Sequence, residues 1–196
     1  MQLHKRDVVD AATTLLDSYG IADLTMRRLA RELNVSPGAL YWHFANKQQL
    51  LGAVADRILE SVDDASGGWR DRVAGISGRL RDALLSHTDG AELVSASFAA
   101  GQSEAMAQTL ARLTDAAADA GVDPTQAELA ARTVVYYVLG FTADEQSRLQ
   151  WDAAGADLPD GQSVLSSDPS AGFAFGLRLL VDGIAAHSDT VVGSRD

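Results

Sequence analysis

A chain of 196 residues, 46% of them hydrophobic, can bury one sizeable core or join a small domain to a larger one. It has no cysteine, which excludes disulfides and thiolate metal sites. The longest apolar stretch, residues 133–143, is too short to span a bilayer, and no apolar run that could serve as a secretory signal follows residues 1–6, so we expect a cytoplasmic protein.

The charge is unevenly distributed along the chain. The net charge is −11, but residues 1–47 hold six Lys and Arg against five Asp and Glu, so this segment carries +1 and the remainder −12. Phosphate binding requires only a local cationic face, and a negative total therefore does not exclude a nucleic-acid partner. The acidic remainder by itself is explained by solubility.

The pattern of apolar residues predicts an all-α protein. Long segments repeat apolar residues at helical spacing, none alternates over the length of a strand, and there are only four prolines. The first helix is predicted over residues 3–19, where Val8, Ala12 and Leu16 share a face and Gly20 ends the helix.

Three more helices are predicted in the N-terminal third. Thr25 is a suitable N-cap for the second helix, and Asn34 tolerates the left-handed backbone that a tight turn after it needs. A capping serine followed by Pro37 marks the start of a short third helix. Asn46, with a glutamine three residues later, resembles a capping box at the start of the fourth helix, residues 46–65.

The rest of the chain is predicted to be helical apart from one long loop. Gly, Asp, Ser and Pro are concentrated in residues 152–170, and a loop of this length in a compact domain is either functional or disordered. The final residues are expected to fray. Helices are predicted over residues 70–87, 92–98, 103–120, 125–149 and 171–187.

Residues 24–44 are predicted to form two short helices joined by a tight turn, which is the geometry of a helix-turn-helix. Such a unit can also be a buried corner of a helical protein, but Tyr41, Trp42 and His43 cannot all be buried on one short helix. We therefore predict that this helix enters the major groove of DNA, with small residues near base edges and with the aromatic residues, His43 and Lys47 near phosphates. The small residues at its tip are Pro37, Gly38 and Ala39.

The passage from the third helix to the fourth has a distinctive order, Leu40-Tyr41-Trp42-His43-Phe44, then Asn46-Lys47 and Leu50-Leu51. This passage resembles the tetracycline-repressor family of transcriptional regulators. The resemblance covers about residues 5–60 and continues in residues 83–91 and 173–183, which are similar to the corresponding stretches of the family's prototype. It implies an Ω-shaped homodimer with a small-molecule pocket in each C-terminal domain. No cofactor and no metal are expected.

Carried over by position, the resemblance divides the DNA-facing residues between bases and backbone. Those that would face bases are Arg27, Pro37, Gly38 and Ala39, and those that would hold the backbone are Thr25, Tyr41, Trp42, His43 and Lys47. The tip of the third helix replaces the prototype's own recognition residues, so we expect a different operator sequence.

The resemblance does not extend to the prototype's tetracycline–magnesium site. The prototype's metal-binding histidine falls at Val94, its drug-binding asparagine at Ile76 and a pocket histidine at Asp63. Only the acidic ligand persists, as Asp144 with Glu145 beside it. The sequence therefore predicts a different effector.

Two C-terminal helices are apolar on more than one face. In residues 125–149 and 171–187 the apolar side chains occupy more than one face of the helix, so each helix must pack against neighbours on two sides. A central core helix in a monomer would satisfy this requirement. A helix that packs inward on one face and forms a four-helix dimer interface with the other would also satisfy it, and the resemblance favours this homodimer.

The predicted effector site is mostly apolar. Aliphatic and aromatic side chains with few polar groups suit a mainly hydrophobic small molecule. Taken one at a time, each residue is better explained by an ordinary place in the core or on the surface, so the prediction depends on the whole set. The predicted lining residues are Leu80, Leu84, His87, Val94, Ser97, Phe98, Gln102, Leu113, Thr133, Val134 and Tyr137.

These features predict a transcriptional regulator with a DNA-binding domain in residues 1–47 and an effector-binding and dimerisation domain in residues 48–196. We expect a repressor that leaves a palindromic operator when its effector binds. One alternative is a constitutive DNA-binding protein without a ligand. The other is an enzyme, but the four histidines are scattered, no Gly-rich phosphate loop occurs, and the neighbouring acids Asp144 and Glu145 diverge by about 100° on a helix.

Overall fold

The computed structural model describes residues 3–155 and 168–192, with side chains described up to residue 187. Every regular element in this part of the chain is helical, which confirms the predicted all-α class. None of the described helices is long and apolar enough to cross a membrane. The helices are α1 (Lys5–Tyr19), α2 (Met26–Glu32), α3 (Pro37–Tyr41), α4 (Lys47–Ile58), α5 (Trp69–Leu85), α6 (Gly90–Ala99), α7 (Glu104–Asp119), α8 (Pro124–Ala153) and α9 (Pro169–Val192), and a 3-10 turn, Leu59–Ser61, follows α4.

The sequence prediction was wrong at both edges of the loop 152–170. Helix α8 continues to Ala153 before a glycine with φ +68° ends it. Helix α9 already begins at Pro169, because Asp168 accepts a hydrogen bond at 2.8 Å from an amide in the first turn. The middle of the predicted loop, residues 156–167, lies outside the described residues.

The chain packs into two compact units. The first comprises Met1–Ser61 and Asp82–Ala107, and the second comprises Val62–Arg81 and Gln108–Asp196. Helices α5 and α7 each continue through a boundary between the units without a break. The functional boundary predicted at residue 47 stays a prediction, because compactness does not say which residues bind which partner.

The core of the first unit forms because α1 and α4 each place apolar residues on one face at helical spacing. Val8, Ala12 and Leu16 of α1 are fully buried, as their spacing predicted, and Leu50 and Val54 of α4 are buried with them. Helix α1 packs on α4 and on α2, and α2 packs on α3. Helix α1 therefore supports α2 directly and α3 through α2.

Helix α4 also packs closely against α6. A Cβ on Gly52 would lie 2.1 Å from the carbonyl oxygen of Gln102, so only glycine allows this approach. The carboxylate of Asp56 accepts hydrogen bonds from the hydroxyl of Ser103 at 2.7 Å and from the amide of Ala105 at 3.0 Å. The helix after the helix-turn-helix is thereby tied to the start of α7.

The second unit contains an ion pair that is almost fully buried. Arg81 on α5 donates from Nε and Nη2 to the two carboxylate oxygens of Glu145 on α8, at 3.0 and 2.7 Å. The guanidinium lies over the ring of Phe173, and the hydroxyl of Tyr137 donates to the carbonyl of the same phenylalanine at 2.8 Å. Burial raises the pKa of the Tyr137 hydroxyl, which keeps it protonated as a donor. These contacts join α5, α8 and α9.

Replacing Arg81 by Met should destabilise the protein strongly, because the Glu145 carboxylate would stay buried without its partner. We expect the free energy of unfolding in urea to fall by about 3–5 kcal/mol, and to fall much less in the double variant Arg81→Met/Glu145→Leu. The exposed pair Arg148–Asp144 provides the control, and Arg148→Met should cost about 0.5 kcal/mol or less. Equal losses in the two single variants would contradict the importance of burial.

Candidate nucleic-acid interface

A capped helix and a left-handed turn set the geometry of the helix-turn-helix. The hydroxyl of Thr25 accepts a hydrogen bond from the amide of Arg28 at 3.2 Å and begins α2, as predicted. Asn34 has φ +53°, and the amide of Val35 donates back to the carbonyl of Ala30 at 2.9 Å. Helices α2 and α3 are thereby joined by the tight turn that the sequence predicted.

The tip of α3 is small and accessible. Pro37 occupies the first helical position, whereas the side chain of Ser36 makes no capping hydrogen bond, contrary to the sequence prediction. Pro37 and Gly38 are exposed and Ala39 is half-buried. A Cβ on Gly38 would come no closer than 3.8 Å to a neighbour, so packing does not require this glycine. Its lack of a side chain leaves the backbone open to close approach.

Two buried residues fix α3, and the side chains between them point outward. Leu40 is fully buried and Phe44 is 1% exposed. Tyr41 is 52% exposed, Trp42 is 90% exposed and His43 is half-buried. A buried corner of a helical protein would hide these side chains, so that alternative is wrong. An indole that is almost wholly in water indicates a contact surface.

The arginines of α2 differ in their surroundings. Arg27 is exposed, as helical spacing predicted. Arg28, which the same spacing placed on the outer face, has its guanidinium 3.8 Å from the ring centroid of Tyr19 and pairs with Asp23. The stacking depends on the packing of α1 against α2, and no local pattern indicates it. Arg27 is therefore the arginine better placed to reach a base.

Lys47 begins α4, and the cap before it is built as predicted. The side-chain oxygen of Asn46 accepts from the amide of Gln49 at 2.9 Å, and the side-chain oxygen of Gln49 accepts from the amide before Asn46 at 3.0 Å. Lys5 is a further cation, which the sequence pattern did not single out. Its Nζ lies 5.0 Å from the ring centroid of Phe44, a contact between α1 and the segment after α3.

The predicted effector-lining residues lie in different environments. Most of them are buried or half-buried, but Gln102 and Thr133 are exposed, and Nδ1 of His87 lies 3.0 Å from the Asp17 carboxylate. The buried hydroxyl of Ser97 finds no hydrogen-bond partner in the described part of the chain. The first unit contains Leu84, His87, Val94, Ser97, Phe98 and Gln102, and the second contains Leu80, Leu113, Thr133, Val134 and Tyr137. That these residues bind one effector together stays a prediction.

Helices α8 and α9 present an apolar face in the second unit. Both helices line an apolar groove of about 420 Å³, to which Thr133 and Val134 of the predicted effector set belong. An exposed apolar surface of this kind is typical of an interaction site. Five large apolar side chains on these helices are more than half exposed, namely Leu129, Tyr136, Trp151, Phe175 and Leu179.

Two family profiles together match most of the chain. Residues 8–54 match the profile described as "Bacterial regulatory proteins, tetR family". Residues 62–160 match the profile described as "Tetracyclin repressor-like, C-terminal domain". The first match contains the helix-turn-helix, and the second contains α5 to α8.

Individual proteins match over nearly the whole chain. The tetracycline repressor protein class A from transposon 1721 of Escherichia coli is 34% identical over 202 residues, which cover 94% of this chain and 91% of the relative. The crystal structure of Mycobacterium smegmatis BioQ is 62% identical with a TM-score of 0.88, and the match covers 95% of this chain and 99% of that one. A structure of BioQ with its double-stranded DNA operator is 60% identical with a TM-score of 0.83, covering 95% and 100%.

These similarities confirm the family resemblance drawn from about residues 5–60 and from residues 83–91 and 173–183. Proteins of this family bind operator DNA, act as dimers and respond to small-molecule effectors, and they are not enzymes. The chain belongs to the tetR family of bacterial regulatory proteins and is a DNA-binding transcriptional repressor.

Proposed function

We propose that this repressor holds a palindromic operator through two copies of residues 1–47 and releases it when a small, mainly hydrophobic molecule binds within residues 48–196. The observation that carries the DNA-binding part is Trp42, which is 90% exposed while Leu40 and Phe44 beside it are buried. The packing of the chain does not require an exposed indole at this position. On a helix that enters a DNA groove, the indole N–H can donate to a phosphate. The operator complex of BioQ supports the same kind of partner.

The proposed DNA contacts divide by their chemistry. Arg27 donates to a base edge, and the small residues of the α3 tip, Pro37, Gly38 and Ala39, contact bases and thymine methyl groups. The oxygen of Thr25 already caps α2, but its hydroxyl can still donate to a phosphate. The proposed backbone contacts are Thr25, Tyr41, Trp42, His43 and Lys47.

The proposed effector is apolar because positions that are polar in the prototype are apolar here. Ile76 and Val94 are both fully buried and offer no ligand to a metal chelate. Helix α4 provides a route to the DNA, since it begins at Lys47 and is tied through Asp56 to the start of α7. An effector that binds the released state more tightly would shift the protein towards that state.

The proposed dimer uses the apolar face of α8 and α9. Leaving such a face in water is unfavourable, and burying it between two copies in a four-helix arrangement removes it from water. A two-fold dimer presents its two helix-turn-helix units to a palindrome. Since bacterial DNA lies in the cytoplasm, we place the working dimer there.

Replacing Lys47 by Ala should lower the slope of log affinity against log salt concentration by about one unit, because one phosphate contact is lost. The affinity for every duplex should fall alike, since phosphate contacts carry no sequence information. Fluorescence anisotropy over about 50–200 mM salt measures the slope. Arg148→Ala removes the same charge from an exposed site on α8 and should leave the slope unchanged. An unaltered slope for Lys47→Ala would mean that this lysine touches no phosphate.

Leu179→Arg should separate the dimer, because it places a charge in the apolar face that two copies share. Leu179 is 58% exposed, so the subunit can still fold. Analytical ultracentrifugation at micromolar concentration should show a monomer, and its affinity for a palindrome should approach that for a half-site. Ala111→Arg adds the same charge to an exposed position on α7 and should remain dimeric. A wild-type monomer under these conditions would refute the proposed interface.

A panel of apolar small molecules should contain compounds that raise the melting temperature and release operator DNA together. A ligand specific to the folded protein stabilises it by about 2.7 kcal/mol at a hundred times its Kd, and a coupling of about 1–3 kcal/mol weakens operator binding roughly 5- to 150-fold. Tetracycline with Mg²⁺ is the comparison and should do neither. Release by the chelate alone would show that the pocket is misassigned, and release by no compound would favour a constitutive DNA-binding protein.

A further inference from the structure

The C-terminal end of α1 is hydrogen-bonded to turn 86–89, which connects α5 to α6 inside the first unit. The carboxylate of Asp17 accepts from the amide of Thr88 at 3.3 Å, and its two oxygens lie 3.0 and 3.1 Å from Nδ1 of His87. The hydroxyl of Thr88 donates to the backbone carbonyl of Asp17 at 3.0 Å. Residues 70 positions apart in the chain are thereby held together.

Asp89 completes this contact from a disfavoured backbone conformation. It has φ +54°, which residues with a side chain rarely adopt, and its carboxylate accepts from the amide of Ile21 at 2.8 Å rather than capping its own helix, α6. Gly20, at φ +78°, permits the approach, because a Cβ there would lie 2.6 Å from an oxygen of Asp89. A residue in a strained backbone conformation, whose side chain binds an amide just after a different helix, indicates a function for that side chain.

We propose that turn 86–89 is a positioning element for DNA binding, which holds α1 and the helix-turn-helix packed on it so that two copies can read one palindrome. This inference rests on the proposed function. Helix α1 packs directly on α2, which carries α3. The turn and its partners on α1 all belong to the first unit.

Substitutions at Asp89 separate positioning from stability. Asp89→Gly removes the acceptor but suits the left-handed backbone better, so its melting temperature should equal or exceed that of the wild type. Its affinity for a palindromic duplex, selected from random DNA by the wild type, should nevertheless fall about tenfold. Its affinity for the same duplex with one half-site scrambled should not change, because each helix-turn-helix is intact.

Asp89→Asn is the matched control, because asparagine tolerates this backbone and keeps an acceptor oxygen. It should bind both duplexes as the wild type does. Wild-type affinity of Asp89→Gly for the palindrome would overturn the proposal, and so would an equal loss of affinity for both duplexes.

A failure of the proposed function would be seen separately. If the wild type preferred no duplex sequence over another, the proposed binding to a palindromic operator would be refuted. Amide hydrogen exchange would still show whether turn 86–89 holds α1 in place. Exchange along α1 should be faster in Asp89→Gly and unchanged in Asp89→Asn, because only the former loses the bond to Ile21. Equal exchange in all three proteins would overturn the inference.

Discussion

Helix α3 has five residues, too few to be stable through its own hydrogen bonds. It persists because Leu40 and Phe44 are buried in the core of the first unit. With these two side chains buried, Tyr41 and Trp42, which lie between them at the C-terminal end of α3, point into water. The surface proposed to meet DNA is thus a consequence of apolar burial in a unit whose core is formed by α1 and α4.

The difference in charge between the N-terminal segment and the rest of the chain affects how strongly the protein discriminates its operator from other DNA. Residues 1–47 carry +1 and the remainder carries −12. Phosphates repel the acidic part, which limits non-specific attachment along DNA. Specific affinity must then come from the fit of two helix-turn-helix units to a palindrome, and for this reason their positioning has a large effect on binding.

Carboxylates that accept from backbone amides provide that positioning in the first unit. Asp56 ties α4 to the start of α7, and Asp17 and Asp89 tie α1 to the turn after α5. These bonds are directional but lie partly in solvent, so a moderate free energy can rearrange them. The nearly buried pair of Arg81 and Glu145 is a contrast, because its loss would leave a charge in an apolar core. The ion pair of the second unit is therefore more costly to break than the partly exposed hydrogen bonds of the first unit.

The sequence by itself determined the helical class, most helix ends and the exposure of Tyr41 and Trp42, because these depend on spacing and caps within a few residues. The caps at Thr25 and Asn46 and the left-handed Asn34 are observed as predicted. The fourth helix, predicted to reach residue 65, ends at Ile58, and both edges of the loop 152–170 were misplaced, the second because the cap at Asp168 was overlooked. Only the tertiary structure decided which polar groups are engaged. The close approach of Gly52 to Gln102 and the bonds of Asp17 and Asp89 join residues far apart in the chain, and the stacking of Arg28 on Tyr19 joins two different helices. Their proximity arises from the packing of whole helices, which no local pattern of residues specifies.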